Sequence, residues 1–369
     1  FYSEKSTGGY NAVVNRQLTY VYELLGREEI FRAVTKNLEN MLYLIHPDGS
    51  VVTSVSLRQD KGKKKYPDNC LDSFYYAAMQ TGDRRFAAVA RTLSDKGVFS
   101  EYMIYMFTRH PDWQERSLPE SEEIGDYEIF MKNSGVYRLR RGALSLTAAV
   151  GMSGALSVTY GRVELAELRL FSPYFAGAKF IAHKMERIEN GVRIFYDSEF
   201  LLPQLPAYWL PTGAPMPFDE LPYKTLEKRA LMPRPKLYYS MDIINIKDGV
   251  ELKISSSGGL DAVPFIAELL FVPNGRVESD SISIPMRADE TALLKSGDFS
   301  FVCGGDAIRV SGTNHAHRSN HTGTEGTGGL FRAVISDWTP VARTITLHFE
   351  KWSEAYGGRT SGKGPVSLG

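Results

Sequence analysis

Apolar residues recur at helical spacing through roughly the first hundred positions and at alternating spacing after about residue 126. Between Tyr10 and Leu25, Val14, Leu18, Val21 and Leu25 share one face, while Asn11, Asn15, Thr19 and Tyr22 share another. This pattern predicts a helix with its apolar side inward and its polar side toward solvent or ligand. Gly26 closes it as a glycine just past a helix end would. Further helices are predicted over about 28–45, 70–80, 84–93 and 99–107, with Gly82 closing the third. Leu24-Leu25-Gly26-Arg27-Glu28 and Met79-Gln80-Thr81-Gly82-Asp83 have the same layout of helix, glycine turn, charged start and helix. They read as repeated antiparallel helix hairpins. The long connection 46–68 then lies at the end opposite the short turns, where functional groups tend to collect.

From Tyr127 to Trp352 short alternating runs are separated by turn signals, enough for well over ten strands. Gly135–Arg140, Leu144–Thr147, Val192–Tyr196 after Asn190-Gly191, and Val250–Ile254 after Asp248-Gly249 are typical. Residues 201–240 are Pro-rich and read as an excursion from the sheet. The expected fold is α+β and multidomain. Helical hairpins occupy 1–125, a large antiparallel β-sandwich occupies 126–356, and a Gly/Ser/Lys-rich tail follows over 357–369.

Length and composition narrow the classes. A chain of 369 residues fits two domains. Lys+Arg and Asp+Glu are 43 each, which disfavours a globally basic nucleic-acid binder. Two cysteines are too few for a disulfide scaffold and do not decide the compartment. No apolar run has the length of a membrane span. The 20 Tyr, 19 Phe and 4 Trp suit sugar stacking or large β-sheets. The chain opens at Phe1 with neither Met nor a signal peptide, so it reads as a piece of something longer. Secreted, periplasmic and cytoplasmic locations all stay open. There is no Gly-rich phosphate loop, zinc-spaced Cys pair or Ser nucleophile elbow.

Four groups of residues carry candidate chemistry. Tyr10, Asn11, Asn15 and Arg16 open the first helix. Amides beside a Tyr suit sugar hydroxyls and a carboxylate, and the alternative is a solvated helix face. Arg58, with Gln59, Asp60, Lys61, Lys63, Lys64 and Lys65, would attract a polyanion, or is simply a solvated loop. Asn69, Asp72, Tyr75 and Tyr76 open the third helix, and at least one of the two tyrosines is expected in the core. His315, His317 and His321 cluster in a Gly-rich loop. They could hold a divalent metal, supply a catalytic base or carboxylate neutraliser, or do nothing specific. His46 reads as a turn residue, and His183 and His348 as structural.

Ser6-Thr7-Gly8-Gly9-Tyr10-Asn11 leading into an inner-type helix, and Phe130 to Arg141 opening the sandwich, resemble the polysaccharide lyases that join an incomplete (α/α) toroid to an antiparallel supersandwich. The heparinase II/III-like group is the most similar. The resemblance implies β-elimination on a uronic-acid-containing polysaccharide, in a cleft between toroid and sandwich. A base removes the proton beside the carboxylate, an acid, often Tyr, protonates the leaving oxygen, and Asn, His or Arg neutralises the carboxylate. On that reading Tyr10, His315, His317 and His321 are catalytic. Asn11, Asn15, Arg16, Arg58, Asn69 and Tyr76 bind substrate. The partner is an acidic polysaccharide or oligosaccharide, with no nucleic acid and no membrane span, and the oligomeric state is open. No cofactor is required, a divalent metal at the three histidines being the alternative. Two other functions compete: a non-catalytic carbohydrate-binding or structural member of the same architecture, and a glycoside hydrolase on a helical-hairpin scaffold.

Overall fold

The computed structural model of the chain describes residues 6–174, 177–198, 235–280, 282–294, 296–313 and 326–353. Helices fill the N-terminal part, and two large, mostly antiparallel sheets follow. The Pro-rich stretch 201–234, the three histidines at 315, 317 and 321, and the tail 357–369 lie outside the described residues. Two compact units divide the chain. One comprises residues 1–149 and 157–161, the other 150–156 and 162–369.

The first unit holds α1 (Tyr10–Leu25), α2 (Glu28–Leu42), α3 (Leu71–Thr81), α4 (Arg84–Asp95) and α5 (Tyr102–Arg109). The two expected glycine turns are present. Gly26 and Gly82 both adopt left-handed backbone, φ 65° and 73°, which an L side chain resists. Asp83 then starts α4 by accepting the Arg85 N–H at 2.8 Å. The second helix ends at Leu42, three residues before the expected 45. The chain turns at Tyr43 and forms a bridge between Ile45 and Val51. The core gathers Phe31, Val34, Leu38, Phe74, Phe86 and Leu93.

The inward face of α1 is the reverse of the expected one. Asn11, Ala12, Asn15 and Thr19 are buried, whereas Leu24 and Leu25 are 72% and 59% exposed. Leu18 is half-buried against the core. Two of the three buried polar positions are tolerable because a neighbouring helix and the backbone supply hydrogen bonds, whereas the Asn11 carboxamide has no partner among the described residues. Asn15 Nδ2 donates to Asn37 Oδ1 of α2 at 2.9 Å, and Thr19 Oγ1 donates to the Asn15 carbonyl at 2.9 Å.

Strands β1 (Tyr127–Met131), β2 (Val136–Arg141) and β3 (Leu144–Ala149) pair as an antiparallel meander. Helix gives way to strand where the sequence predicts, but these strands belong to the compact unit of the helices. Arg138 ties these strands to the helical part. Its side chain is fully buried, and its Nε donates to the Tyr43 carbonyl at 2.8 Å. Nη1 reaches the Leu146 carbonyl and Thr147 Oγ1, and Nη2 reaches Tyr127 Oη and Ser145 Oγ. Every N–H of the guanidinium is thus used, and the meander is pinned to the end of α2.

After β4 (Gly154–Tyr160), the second unit continues with β5 (Val163–Tyr174), β6 (Gly177–Lys179), β7 (Ala182–Ile188), β8 (Gly191–Asp197), β9 (Leu237–Ile246), β10 (Gly249–Gly258), β11 (Pro264–Phe271), β12 (Arg276–Glu278), β13 (Ser283–Pro285), β14 (Thr291–Leu293), β15 (Phe299–Cys303), β16 (Asp306–Ser311), β17 (Phe331–Trp338) and β18 (Ala342–Lys351). Within it, β5-β11-β17-β14 run side by side with β6 on β5. The other sheet has the order β13-β12-β15-β16-β18-β10-β9-β8-β7. The β14–β17 pair is parallel. Both predicted hairpin turns connect antiparallel neighbours, β7 to β8 and β9 to β10. Along β9 the alternation is as read from sequence, with Leu237, Tyr239, Met241 and Ile243 buried. Phe271 and Phe301 stack at 3.7 Å in this core.

Candidate functional site in the helical unit

The segment before α1 and the connection 46–68 are tied together by a buried carboxylate. Asp60 is 3% exposed and accepts from the hydroxyls of Ser6 and Ser56. Thr7 Oγ1 donates to the Val52 carbonyl, and Val51 N–H donates to the Lys65 carbonyl at 2.8 Å. These bonds set the start of α1 against the loop that carries Arg58. As a result Arg58 Nη2 donates to Tyr10 Oη at 2.8 Å, and its guanidinium carbon sits 5.0 Å from the Tyr10 ring centroid. Both side chains are exposed, Tyr10 by 37%. The phenol oxygen accepts from Arg58, so its own O–H remains a donor for another group. Two residues 48 positions apart in sequence are thereby joined at one surface point.

The other candidates from α1 and α3 are placed differently. Arg16 Nε and Nη2 grip the two oxygens of Asp72, each at 2.9 Å, and Nη2 also reaches the Asn69 carbonyl at 3.1 Å. The guanidinium lies 3.5 Å over the Tyr102 ring. Burial opposes its charge, but the Asp72 carboxylate outweighs burial and holds the Arg16 pKa above its ordinary value. Asn15 is engaged with Asn37 inside the helix core. Asn11 is 1% exposed, and among the described residues its carboxamide has no hydrogen-bond partner. Tyr76 is core, as expected of one of the paired tyrosines, while Tyr75 packs edge-on against Phe107. The structure therefore brings Tyr10 to Arg58 and Arg16 to Asn69, and sets Asn15 and Tyr76 in the interior.

Sequence reading overlooked two clusters. In the first, Glu23 accepts from the Tyr76 hydroxyl and meets His110 Nε2 at 3.0 Å, with Arg109 at 3.6 Å. Burial raises the Glu23 pKa, but the two hydrogen bonds and the nearby cations bring it below the usual carboxylate range. His110 stacks on Trp113 at 4.2 Å. In the second, His46 is a packed residue as well as a turn residue. Its Nδ1 lies 2.8 Å from Ser145 Oγ, and burial together with Arg138 pushes its pKa down to about 3. The signal available in sequence was the Ile45-His46-Pro47-Asp48-Gly49 turn, but the Ser145 partner is 99 residues away. Among the described residues no group of three His, Cys, Asp or Glu is placed to hold a metal ion.

No protein-family model matches the sequence, and no curated protein matches it. Solved structures do. A mutant of the heparan sulfate lyase HepC from Pedobacter heparinus matches over 96% of this chain and 54% of its own, at TM-score 0.50 and 9% identity. A heparinase III gene product solved with methylated lysines matches over 89% of this chain and 47% of its own, at TM-score 0.44 and 10% identity. The chain spans about half the length of these proteins. At such identity the likeness is one of fold: a helical part followed by large antiparallel sheets, distantly similar to the architecture of that heparan sulfate lyase.

Proposed function

We propose that the protein acts on an acidic, uronic-acid-containing polysaccharide by β-elimination, with Tyr10 and Arg58 at the reacting sugar. The observation that carries this reading is the 2.8 Å bond from Arg58 Nη2 to Tyr10 Oη between two exposed side chains. Arg58 presents a guanidinium suited to a uronate carboxylate, whose neutralisation acidifies the proton on the adjacent carbon. A base, sought among His315, His317 and His321, takes that proton, and the C–H electron pair forms the carbon–carbon double bond as the bond to the glycosidic oxygen breaks. Tyr10, whose O–H is left as a donor, protonates the departing oxygen. The similarity of fold to a heparan sulfate lyase supports this choice of class and makes heparan sulfate the first substrate to try.

The test is ultraviolet absorbance of an unsaturated uronate released from heparan sulfate and related acidic polysaccharides. Tyr10→Phe is expected to lower the rate by about 100-fold or more, as loss of a general acid does. Arg58→Ala should fall as far, while melting temperature stays near that of the unmodified chain. His315→Ala, His317→Ala and His321→Ala form a separate arm that looks for the base. Sugar binding without turnover would favour the non-catalytic reading. Reducing ends without unsaturation would favour a hydrolase.

A further inference from the structure

The helical unit contains a cavity of about 210 Å³ that neither Tyr10 nor Arg58 lines. One stripe of α4 and its C-cap forms its floor, with Arg85, Ala88, Val89, Thr92, Leu93 and the capping Lys96 following one another at helical spacing. The turn 45–49 faces that stripe, and Pro67, Glu123, Ile124 and Arg140 of β2 complete the lining. The space is large enough for one ring-sized organic molecule. Ile45, Pro47, Val89, Leu93 and Ile124 make much of its wall apolar.

The polar groups of the lining are unequal in sign. Asp48 is engaged by Lys64 at 2.7 Å and by the hydroxyl and N–H of Ser50. Arg85 is engaged by Asp83 at 2.6 Å. Beyond these pairs the lining carries two cations, Lys96 and Arg140, and one carboxylate, Glu123. The Lys96 ammonium lies 4.8 Å from the Tyr66 ring centroid, and 3.2 Å from where a Cβ on Gly49 would stand. Gly49 has φ 83°, so both its backbone and the ammonium above it exclude a side chain there.

The tautomer of His46 follows from counting donors. Ser145 Oγ is buried and has two partners, Arg138 Nη2 at 3.0 Å and His46 Nδ1 at 2.8 Å. Arg138 can only donate, so the serine O–H donates to Nδ1, and the imidazole proton sits on Nε2. His46 therefore contributes an N–H donor to the lining and stays neutral across the physiological range. Donors outnumber acceptors, the net charge is positive, and the walls are apolar.

We propose that this cavity is a binding site for a small organic anion, a carboxylate on a compact apolar body, held by Lys96, Arg140 and the His46 Nε2–H. The proposal does not depend on the β-elimination reading, because the two sets of residues are separate. Ligand-observed NMR on the full chain tests it with benzoate as the probe, benzamide as its uncharged counterpart, and sulfate and glucuronate as anions without an apolar ring. Benzoate should bind saturably and more tightly than the other three. Lys96→Met, at an exposed position that should not disturb folding, should weaken benzoate by about tenfold, as should Arg140→Gln. Tyr10→Phe should leave benzoate binding unchanged while altering any lyase activity. Absence of saturable benzoate binding would overturn the proposal, as would affinity unaltered by Lys96→Met. Equal affinity for benzamide would show that charge is not read, and equal affinity for sulfate or glucuronate that the apolar walls are not, and either result also overturns it.

Discussion

Helices α1 and α4 belong to one compact unit and bury opposite kinds of face. In α4, Phe86, Ala87, Ala90 and Leu93 are buried, as an apolar period demands. In α1 the buried residues are Asn11, Ala12, Asn15 and Thr19, and the leucines at 24 and 25 stand in solvent. Both helices have the start or stop signals expected of them, so the difference does not lie in local propensity. It lies in what each polar group meets. A buried carboxamide without a partner costs about 1–3 kcal/mol, and one with a partner costs far less. Asn15 meets Asn37, Arg16 meets Asp72, and Thr19 meets a backbone carbonyl. A hydrophobic pattern ranks faces as though water were the sole partner for polar groups. Where a neighbouring helix offers partners, that ranking can invert.

The comparison can be broken at its apolar side first. Phe86→Ala in α4 should cost about 3–5 kcal/mol in chemical denaturation, because the side chain is 1% exposed and leaves a cavity. A loss below about 1 kcal/mol would mean that α4 is not the apolar anchor described. Next comes the polar side. Asn37→Leu should cost about 2 kcal/mol by removing the oxygen to which Asn15 Nδ2 donates, whereas replacing Asn15 and Asn37 together by leucine should cost clearly less than Asn15→Leu and Asn37→Leu summed. Strict additivity in that double-mutant cycle would remove the pair as the reason α1 is turned inside out. The smallest effect is expected at the exposed leucine. Leu24→Ser should change stability by no more than about 0.5 kcal/mol, and a large loss would show that this face is covered in solution.

The same contrast separates the candidate residues. Tyr10 and Arg58 are exposed and meet each other, so their pairing is available to a ligand. Arg16 and Asp72 are nearly as close in kind, a Tyr-stacked guanidinium with a carboxylate. Yet they are only 10% and 8% exposed and satisfy one another, which makes them a staple between α1 and α3. Each case sets an arginine over a tyrosine ring, and burial decided between them.

Several things could be read from the chain itself, because they depend on neighbours within a few residues. Gly26 and Gly82 end helices, Asn190-Gly191 and Asp248-Gly249 turn hairpins, and the alternation along β9 points every second side chain inward. The change from helix to strand was legible for the same reason, and so was the class of fold that follows from it. What only the tertiary structure decided depends on contacts across long loops. It set which face of α1 is inward, and it kept β1–β3 with the helices through Arg138. It also joined Tyr10 to Arg58 across 48 residues and His46 to Ser145 across 99. The physical reason is that a side chain's environment is the sum of groups brought to it by the whole fold. Periodicity can say that Asn15 and Arg16 lie on a polar face, but only packing supplies the Asn37 and Asp72 that let that face be buried.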